Sequence, residues 1–409
     1  MDNLTHSVTG LAVGEFISRS LPPEPDEADQ RTRRRLLLVS CWAASNFPDL
    51  DLVLTPLLPA PLGYLLHHRG HTHTLLYALP QALLLAAMLW LLWPSARRLL
   101  AASAQARRGL LLAIGAGFLL HMSMDYLNSY GVHPFYPFDP HWFYGDMVFI
   151  IEPVFWIAFG VPLAMMATRR NSKLVLLGML TGVPLVFTVT GHLHAASAIA
   201  LVVLAIALGV VQRRAGAAGR QGLIAAFAAA AVFIMVQWLS SDAGKSAVAA
   251  QLTVRDPGTR VDDVAMSSFP SNPLCWAFVS VEHKGPDFRV SRGVASVAPG
   301  LMPAASCPAA LSDRAAQRAL SPAVAIVWEQ QTPLAELRHR RQQDCYFDAW
   351  LRFARTPALN AGNATDVRFG EDPDGNFATI RYAGFAGKPC PAGVPAWAYP
   401  RADLLGLDR

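Results

Sequence analysis

The sequence predicts a mainly α-helical protein, with a polytopic helical membrane domain over residues 1–240 and a soluble α+β domain over residues 241–409. Three observations carry that expectation. The 409 residues are 53% hydrophobic and only 15% charged, more apolar than a typical soluble globular chain. Six apolar runs before residue 241 are long enough for a bilayer core of roughly 30 Å, which takes about 20 helical residues. Beyond about residue 241 the texture turns to mixed charge, scattered Pro and Gly, and short alternating stretches such as WAFVSVEH and FATIRYAGF.

The elements follow in order. Two helices, 3–19 and 36–47, are shorter or more polar than a membrane span. The spans are read at 74–93, 109–128, 147–168, 174–190, 195–211 and 222–239. The N-terminus does not read as a signal peptide, because Asp2 replaces a basic opening and Thr5, His6 and Thr9 interrupt the apolar pattern. In the soluble domain, strands are expected near 261–297 and a helical stretch from Ser312 to Arg355, broken near Thr332-Pro333. A hairpin is expected around EDPDGN, whose Asp-Gly pair suits a tight turn. This domain is long enough to bury its own core.

The net charge of +5 raises the question of a nucleic-acid partner, which the placement of the charges answers. They cluster in short loops: RTRRR at 31–35, then Arg97, Arg98, Arg107 and Arg108, then Arg169, Arg170 and Lys173, then Arg213, Arg214 and Arg220. These alternate with loops nearly free of Lys and Arg, so the positive-inside rule assigns the basic loops to the cytoplasm. No nucleic-acid partner is expected. The chain is expected to cross a membrane several times, with the remaining loops and the C-terminal domain outside the cytoplasm.

Of the five cysteines, Cys41 lies in an apolar helix, while Cys275, Cys307, Cys345 and Cys390 fall in the domain placed outside. Their spacing is too wide for a zinc knuckle. One or two disulfides are expected, with three pairings open.

Ten of the twelve histidines precede residue 195, at predicted outer helix ends or in outer loops. LLHHRGHTHTLL alone places His67, His68, His71 and His73 around Arg69. Carboxylates join them: PDLD supplies Asp49 and Asp51, and HMSMD sets His121 and Asp125 four residues apart on one helical face. Asp146 and Glu152 follow in DMVFIIEP, Glu152 inside the expected 147–168 span, where an ionisable group is costly and marks function. His6, Asp49, Asp51, His68, His73, His121 and Asp125 come from four separate segments, and the topology brings all of them to one face. Mixed imidazole and carboxylate donors suit a divalent metal, Zn²⁺ first and Mn²⁺ second, and carboxylates can bridge two ions. His67 reads as an interfacial residue, and His192 and His194 as loop or interfacial residues.

MDNLTHSVTG, PDLD, HHRGHTHT, HMSMDYLNSYGVHPFYPFD and DMVFIIEP together resemble the YdjM-like or YbcI-like family of inner-membrane predicted metal-dependent hydrolases, over roughly the first 155 residues. The resemblance implies that His6, Asp49, Asp51, His68, Arg69, His73, His121, Asp125, Asp146 and Glu152 occupy motif positions. His71 stands where that family carries an aromatic residue, Glu152 where it carries Asp, and Asn128 where it carries Thr. A fainter similarity is to the helical zinc phospholipase C and P1-type nuclease group. His6, Asp51, His68, His121 and Asp125 follow that group's order, with His133 or His141 as a later ligand, but the chain lacks the group's initial Trp.

Such a donor set implies a metal-dependent hydrolase, one that activates water against an ester or phosphodiester bond. The substrate expected at the membrane's outer face is a phospholipid or lipid-linked phosphate. Arg69 is the expected phosphate fork, its alternative being a structural link to a carboxylate. Asp125, Asp146 and Glu152 are the candidate bases. The competing class is a non-catalytic metal-binding or metal-transporting membrane protein, or a periplasmic sensor or scaffold.

Overall fold

The computed structural model describes residues 1–308 and 313–407. The chain divides into two compact units. One comprises Met1–Leu50, Thr72–Asn128 and Val148–Val236; the other comprises Asp51–His71, Ser129–Met147 and Gln237–Arg409. The second unit therefore takes in two segments that precede the expected break at residue 240, and helix α10 (Gln221–Arg255) runs unbroken through it.

The first unit is helical. Among the described residues six helical segments are long and apolar enough to cross a membrane: Glu27–Leu57, Leu75–Leu92, Ala104–Tyr126, Arg170–Val189, Ala195–Ala215 and Gln221–Arg255. Helix α1 (Asn3–Ser20) starts where the Asp2 carboxylate accepts a hydrogen bond from Thr5 N at 3.0 Å. Helix α2 (Glu27–Ala44) is capped by Asp26, which accepts from Ala28 N at 2.7 Å and Asp29 N at 3.1 Å. It therefore begins well before the expected start at 36 and leads into a 3-10 helix, Phe47–Leu57. A short helix α3 (Leu62–His67) belongs to the second unit. Helices α4 (Leu75–Leu92), α5 (Pro94–Ala102) and α6 (Ala104–Tyr126) follow, α4 capped by Thr74 and α6 by Ser103.

The expected span at 147–168 is corrected. Helix α7 (Pro153–Met166) has only 14 residues, roughly 21 Å at 1.5 Å per residue, too short for the bilayer core. Glu152 caps it by accepting from Val154 N at 3.0 Å, and Pro153 occupies the first turn, where its missing N–H costs nothing. Twelve of its residues are buried, so its apolar composition reflects an interior position among the other helices. By contrast α8 (Arg170–Val189) and α4 leave most of their apolar surface exposed, as lipid-facing helices do.

Close packing of α1, α2 and α6 positions the functional residues. A Cβ on Gly14 would stand 2.8 Å from the Leu37 carbonyl oxygen, and one on Gly117 would stand 2.5 Å from Ala44 Cβ. Only glycine lets these backbones approach so closely, the usual device of membrane helix interfaces. Trp156 Nε1 donates to Thr5 Oγ1 at 2.8 Å, tying α7 to α1.

The second unit carries a five-stranded antiparallel sheet of β1 (Arg260–Phe269), β2 (Asn272–Lys284), β3 (Asp287–Ser296), β4 (Arg318–Ser321) and β5 (Val324–Pro333), in the order β1-β2-β3-β5-β4. The strands β1, β2 and β3 match the expected 261–297 region. Lys284 pairs with Asp287 across a two-residue turn whose first member, Gly285, has φ 59°, a conformation glycine adopts without strain.

The expected helix over 312–355 is corrected in its first half. Ser312 lies outside the described residues, and β4 (Arg318–Ser321) and β5 (Val324–Pro333) are strands. Val324, Ile326, Val327 and Trp328 suit a pleated surface, and pairing with β3 in the register Ala295↔Val324 settles the local ambiguity. Helix begins only at α11 (Leu334–Gln343) and resumes at α12 (Cys345–Leu351), where Asp344 accepts from Tyr346 N and Phe347 N. A second sheet orders β6 (Pro357–Asn360), β7 (Asn363–Asp366) and β8 (Thr379–Ile380). The expected hairpin joins β7 and β8, but through residues 367–378 rather than a two-residue turn. Trp350, Phe347, Phe353 and Trp397 fill the core beneath it. The cysteine pairing left open is Cys275–Cys307 and Cys345–Cys390, with Cys41 buried and free.

Candidate metal centre

In the helical unit, four donor side chains converge. Asp49 comes from the 3-10 helix after α2, His73 from the turn before α4, and His121 and Asp125 from one face of α6. His121 Nε2 lies 2.9 Å from His73 Nε2. Asp125 Oδ2 stands 3.2 Å from His73 Nε2 and 3.4 Å from His121 Nε2. Asp49 Oδ1 stands 3.4 and 3.6 Å from the same two atoms. A tetrahedral ion with ligands at 2.0–2.1 Å separates them by about 3.3–3.4 Å, the middle of this range.

The imidazoles are oriented for this arrangement. His121 Nδ1 donates to the Ser45 carbonyl at 2.8 Å, which leaves the lone pair on Nε2, facing the other donors. His73 Nδ1 lies 3.0 Å from Thr72 Oγ1. Fixing one ring nitrogen through a neighbouring acceptor while the other faces the ion is how ligating histidines are held. His73, His121 and Asp125 have essentially no solvent exposure, and two carboxylates and two imidazoles so placed match the donor chemistry of a divalent ion.

His6 stands one step outward. Its Nε2 is 3.2 Å from Asp125 Oδ1, the oxygen turned away from the imidazoles, and its ring stacks on His121 at 4.2 Å. The Met1 amine also contacts Asp125 Oδ1. His6 thus steadies a donor and is not itself among the four.

The remaining expected residues lie outside this cluster of four. In the second unit, Asp51 Oδ1 accepts from His68 Nδ1 and Oδ2 accepts from Arg69 N, both at 3.0 Å. Asp51, expected as a ligand, in this way fixes the His68 ring and the Arg69 backbone. Arg69 adopts φ 60° and lays its guanidinium over the Tyr130 ring, 4.8 Å from the centroid. Burial pushes the Tyr130 phenol well above its ordinary pKa.

Asp146, expected as a base, is held by cations. Arg355 donates to both of its oxygens at 2.9 Å, and Lys245 Nζ adds a contact at 2.8 Å. Arg355 also grips Asp263. Burial alone would lower the Arg355 pKa, but the Asp146 and Asp263 carboxylates more than reverse this and hold it well above its ordinary value. Glu152 sits at the N-terminus of α7 rather than inside a span. His133 lies between Trp142 and Trp397, and His141 pairs with Asp139 at an exposed position, so neither joins the four donors. His194 caps α9 (Ala195–Ala215). Arg355 and Lys245 were not foreseen, since partners 209 and 99 positions from Asp146 leave no local pattern. The Ser45 carbonyl, a backbone group, carries no sequence signal at all.

A bundle with six membrane-length helices and a buried His₂Asp₂ cluster defines a helical membrane protein equipped to bind metal. The family model for the YdjM inner membrane protein matches residues 1–241, and the chain belongs to that family. It is also similar to the uncharacterized protein YfhP of Bacillus subtilis (strain 168), with 28% identity over 158 residues. That match covers 39% of this chain and 44% of the relative, so under half of the relative's length is spanned. No solved structure matches the chain.

Proposed function

We propose that this protein is a metal-dependent hydrolase of the inner membrane, acting at its outer face on a phospholipid or lipid-linked phosphate ester. The observation that carries this is the set of separations, 2.9–3.6 Å, that link His73 and His121 to each other and to Asp49 and Asp125. Those four residues would hold the ion, zinc or manganese by donor type. When bound, such an ion lowers the pKa of a coordinated water and stabilises developing oxyanion charge. His6 holds Asp125, and the Ser45 carbonyl holds His121, so both donors are set before any ligand arrives. A second ion is proposed from sequence adjacency: Asp49 and Asp51 are two positions apart, and Asp51 orients His68. Arg69 is proposed as the phosphate fork. Asp146 is not kept as a base, because Arg355 and Lys245 occupy its oxygens. The outer-face assignment rests on the alternating basic loops.

One observation favours a second reading. Four protein donors, if all bound one ion, would fill a tetrahedral shell, the pattern of structural rather than catalytic sites. A metal-stabilised sensor or scaffold would look the same at this cluster. The test is the purified protein in nanodiscs of native lipid, with metal content and released products measured by mass spectrometry. The hydrolase reading expects product, and expects Arg69→Ala to slow its release by about 10² with metal content unchanged. Fully metallated wild-type protein releasing nothing over hours overturns it in favour of the second reading.

A further inference from the structure

The soluble unit contains a cavity of about 500 Å³ that the metal chemistry does not use. Its volume is that of an ordinary small-molecule site, which runs about 300–1,000 Å³. Segments far apart in the chain build it, and salt bridges fix their positions. Trp142, Tyr144 and Tyr399 supply aromatic wall, while Asp262, Asp263, Arg355 and Arg401 supply charge.

That charge is balanced. Arg355 joins Asp146 to Asp263, Arg401 reaches Asp262, Asp263 and Asp403, Arg260 pairs with Asp262, and Lys245 pairs with Asp146. Four carboxylates thus face four lysine and arginine cations, and His283 Nδ1 also contacts Asp262. The balance leaves no excess positive charge to draw in a phosphate. It is also a poor seat for an acyl chain, which would strip water from these charges without replacing it.

Two lining residues retain buried polar atoms with no protein hydrogen-bond partner among the described residues, Tyr144 Oη and Arg401 Nε. Arg401 is 4% exposed, so water supplies little compensation. The cavity therefore combines apolar ring faces with rigid carboxylate acceptors, guanidinium donors and unmet polar atoms.

We infer that this cavity binds a neutral carbohydrate residue. A sugar ring presents C–H faces to aromatic side chains and hydroxyl edges, each both donor and acceptor, to carboxylates and guanidinium groups. Electroneutrality selects an uncharged polyol over an ionic group, and the salt-bridged walls hold the site in shape before binding. The inference is independent of the hydrolase reading.

The test uses the full chain in nanodiscs and saturation-transfer NMR with the methyl glycosides of glucose, galactose and N-acetylglucosamine, and inorganic phosphate as the ionic probe. Saturable binding of at least one glycoside is expected, weakened at least tenfold by Asp262→Asn and by Tyr399→Ala, and unchanged by His121→Ala. Should Tyr399→Ala fail to fold, Asp262→Asn, nearly identical in size, carries the test. No binding of any glycoside, binding undiminished in a folded Asp262→Asn variant, or saturable phosphate binding in place of sugar overturns the inference.

Discussion

Replacing Asp125 with Asn tests the metal centre with almost no change of shape. Asp125 Oδ2 faces His73 Nε2 at 3.2 Å and His121 Nε2 at 3.4 Å, whereas Oδ1 is held by His6 at 3.2 Å. The amide keeps the volume and removes the charge. Turned so that its N–H₂ meets the imidazole lone pairs, it satisfies in the metal-free protein what an ion satisfies in the metal-bound one. The variant also loses the charge facing the Met1 amine, so its metal-free stability is measured first, as the baseline for the zinc-dependent gain. A ligand that binds only the folded state at 100 times its Kd stabilises it by about 2.7 kcal/mol. Even outer-shell partners of a metal site change affinity 10–100-fold, so losing a direct carboxylate donor should weaken it by about 100-fold or more. At the same zinc concentration the variant then sits near its own Kd, where the gain is only about 0.4 kcal/mol. Thermal unfolding with and without zinc, paired with metal-to-protein ratios by plasma mass spectrometry, reads both quantities. A variant with wild-type stoichiometry and an undiminished zinc-dependent upshift would refute the assignment.

Asp146→Asn, which keeps the φ 55° backbone accessible, should cost about 3 kcal/mol, the lower end for breaking a buried pair, since Arg355 retains Asp263. Turnover per folded molecule should stay within a few-fold of wild type; a loss of about 10² at unchanged stability would restore Asp146 as a base. Asp263 and Asp366 give the soluble unit its acid limit. Burial alone would raise both pKa values, but Arg355 and Arg368 respectively more than reverse this, so both lie below the ordinary carboxylate range. Depressed folded-state values contribute stability that is complete above the unfolded pKa of about 3.9 and lost as pH falls through the folded values. Acid titration monitored by near-ultraviolet circular dichroism should show a transition below about pH 4 that Asp366→Asn flattens; no difference between the two proteins would exclude this linkage. A periplasm-dependent reporter fused after Arg409 should be active and one fused after Arg170 silent, and the reverse pattern would place the centre in the cytoplasm.

The apolar runs determined by themselves that this chain is helical and membrane-embedded, because lipid admits few other backbone arrangements. The HxxxD spacing likewise placed His121 and Asp125 together, since helical geometry alone puts residues four apart on one face. Patterns of this kind act over a few residues and need no knowledge of the rest of the chain. Tertiary structure decided what depends on distant partners. Residues 318–333 became strands because β3 offers an edge to pair with. The 147–168 run became a short buried helix because Glu152 and Pro153 start it late and neighbouring helices enclose it. Among the carboxylates, identical in chemistry, Asp49 and Asp125 face the imidazoles, Asp51 turns to His68, and Asp146 is claimed by an arginine 209 positions away. A carboxylate's role is set by which charge or N–H lies within about 3 Å of it, and that distance is created only when remote segments pack.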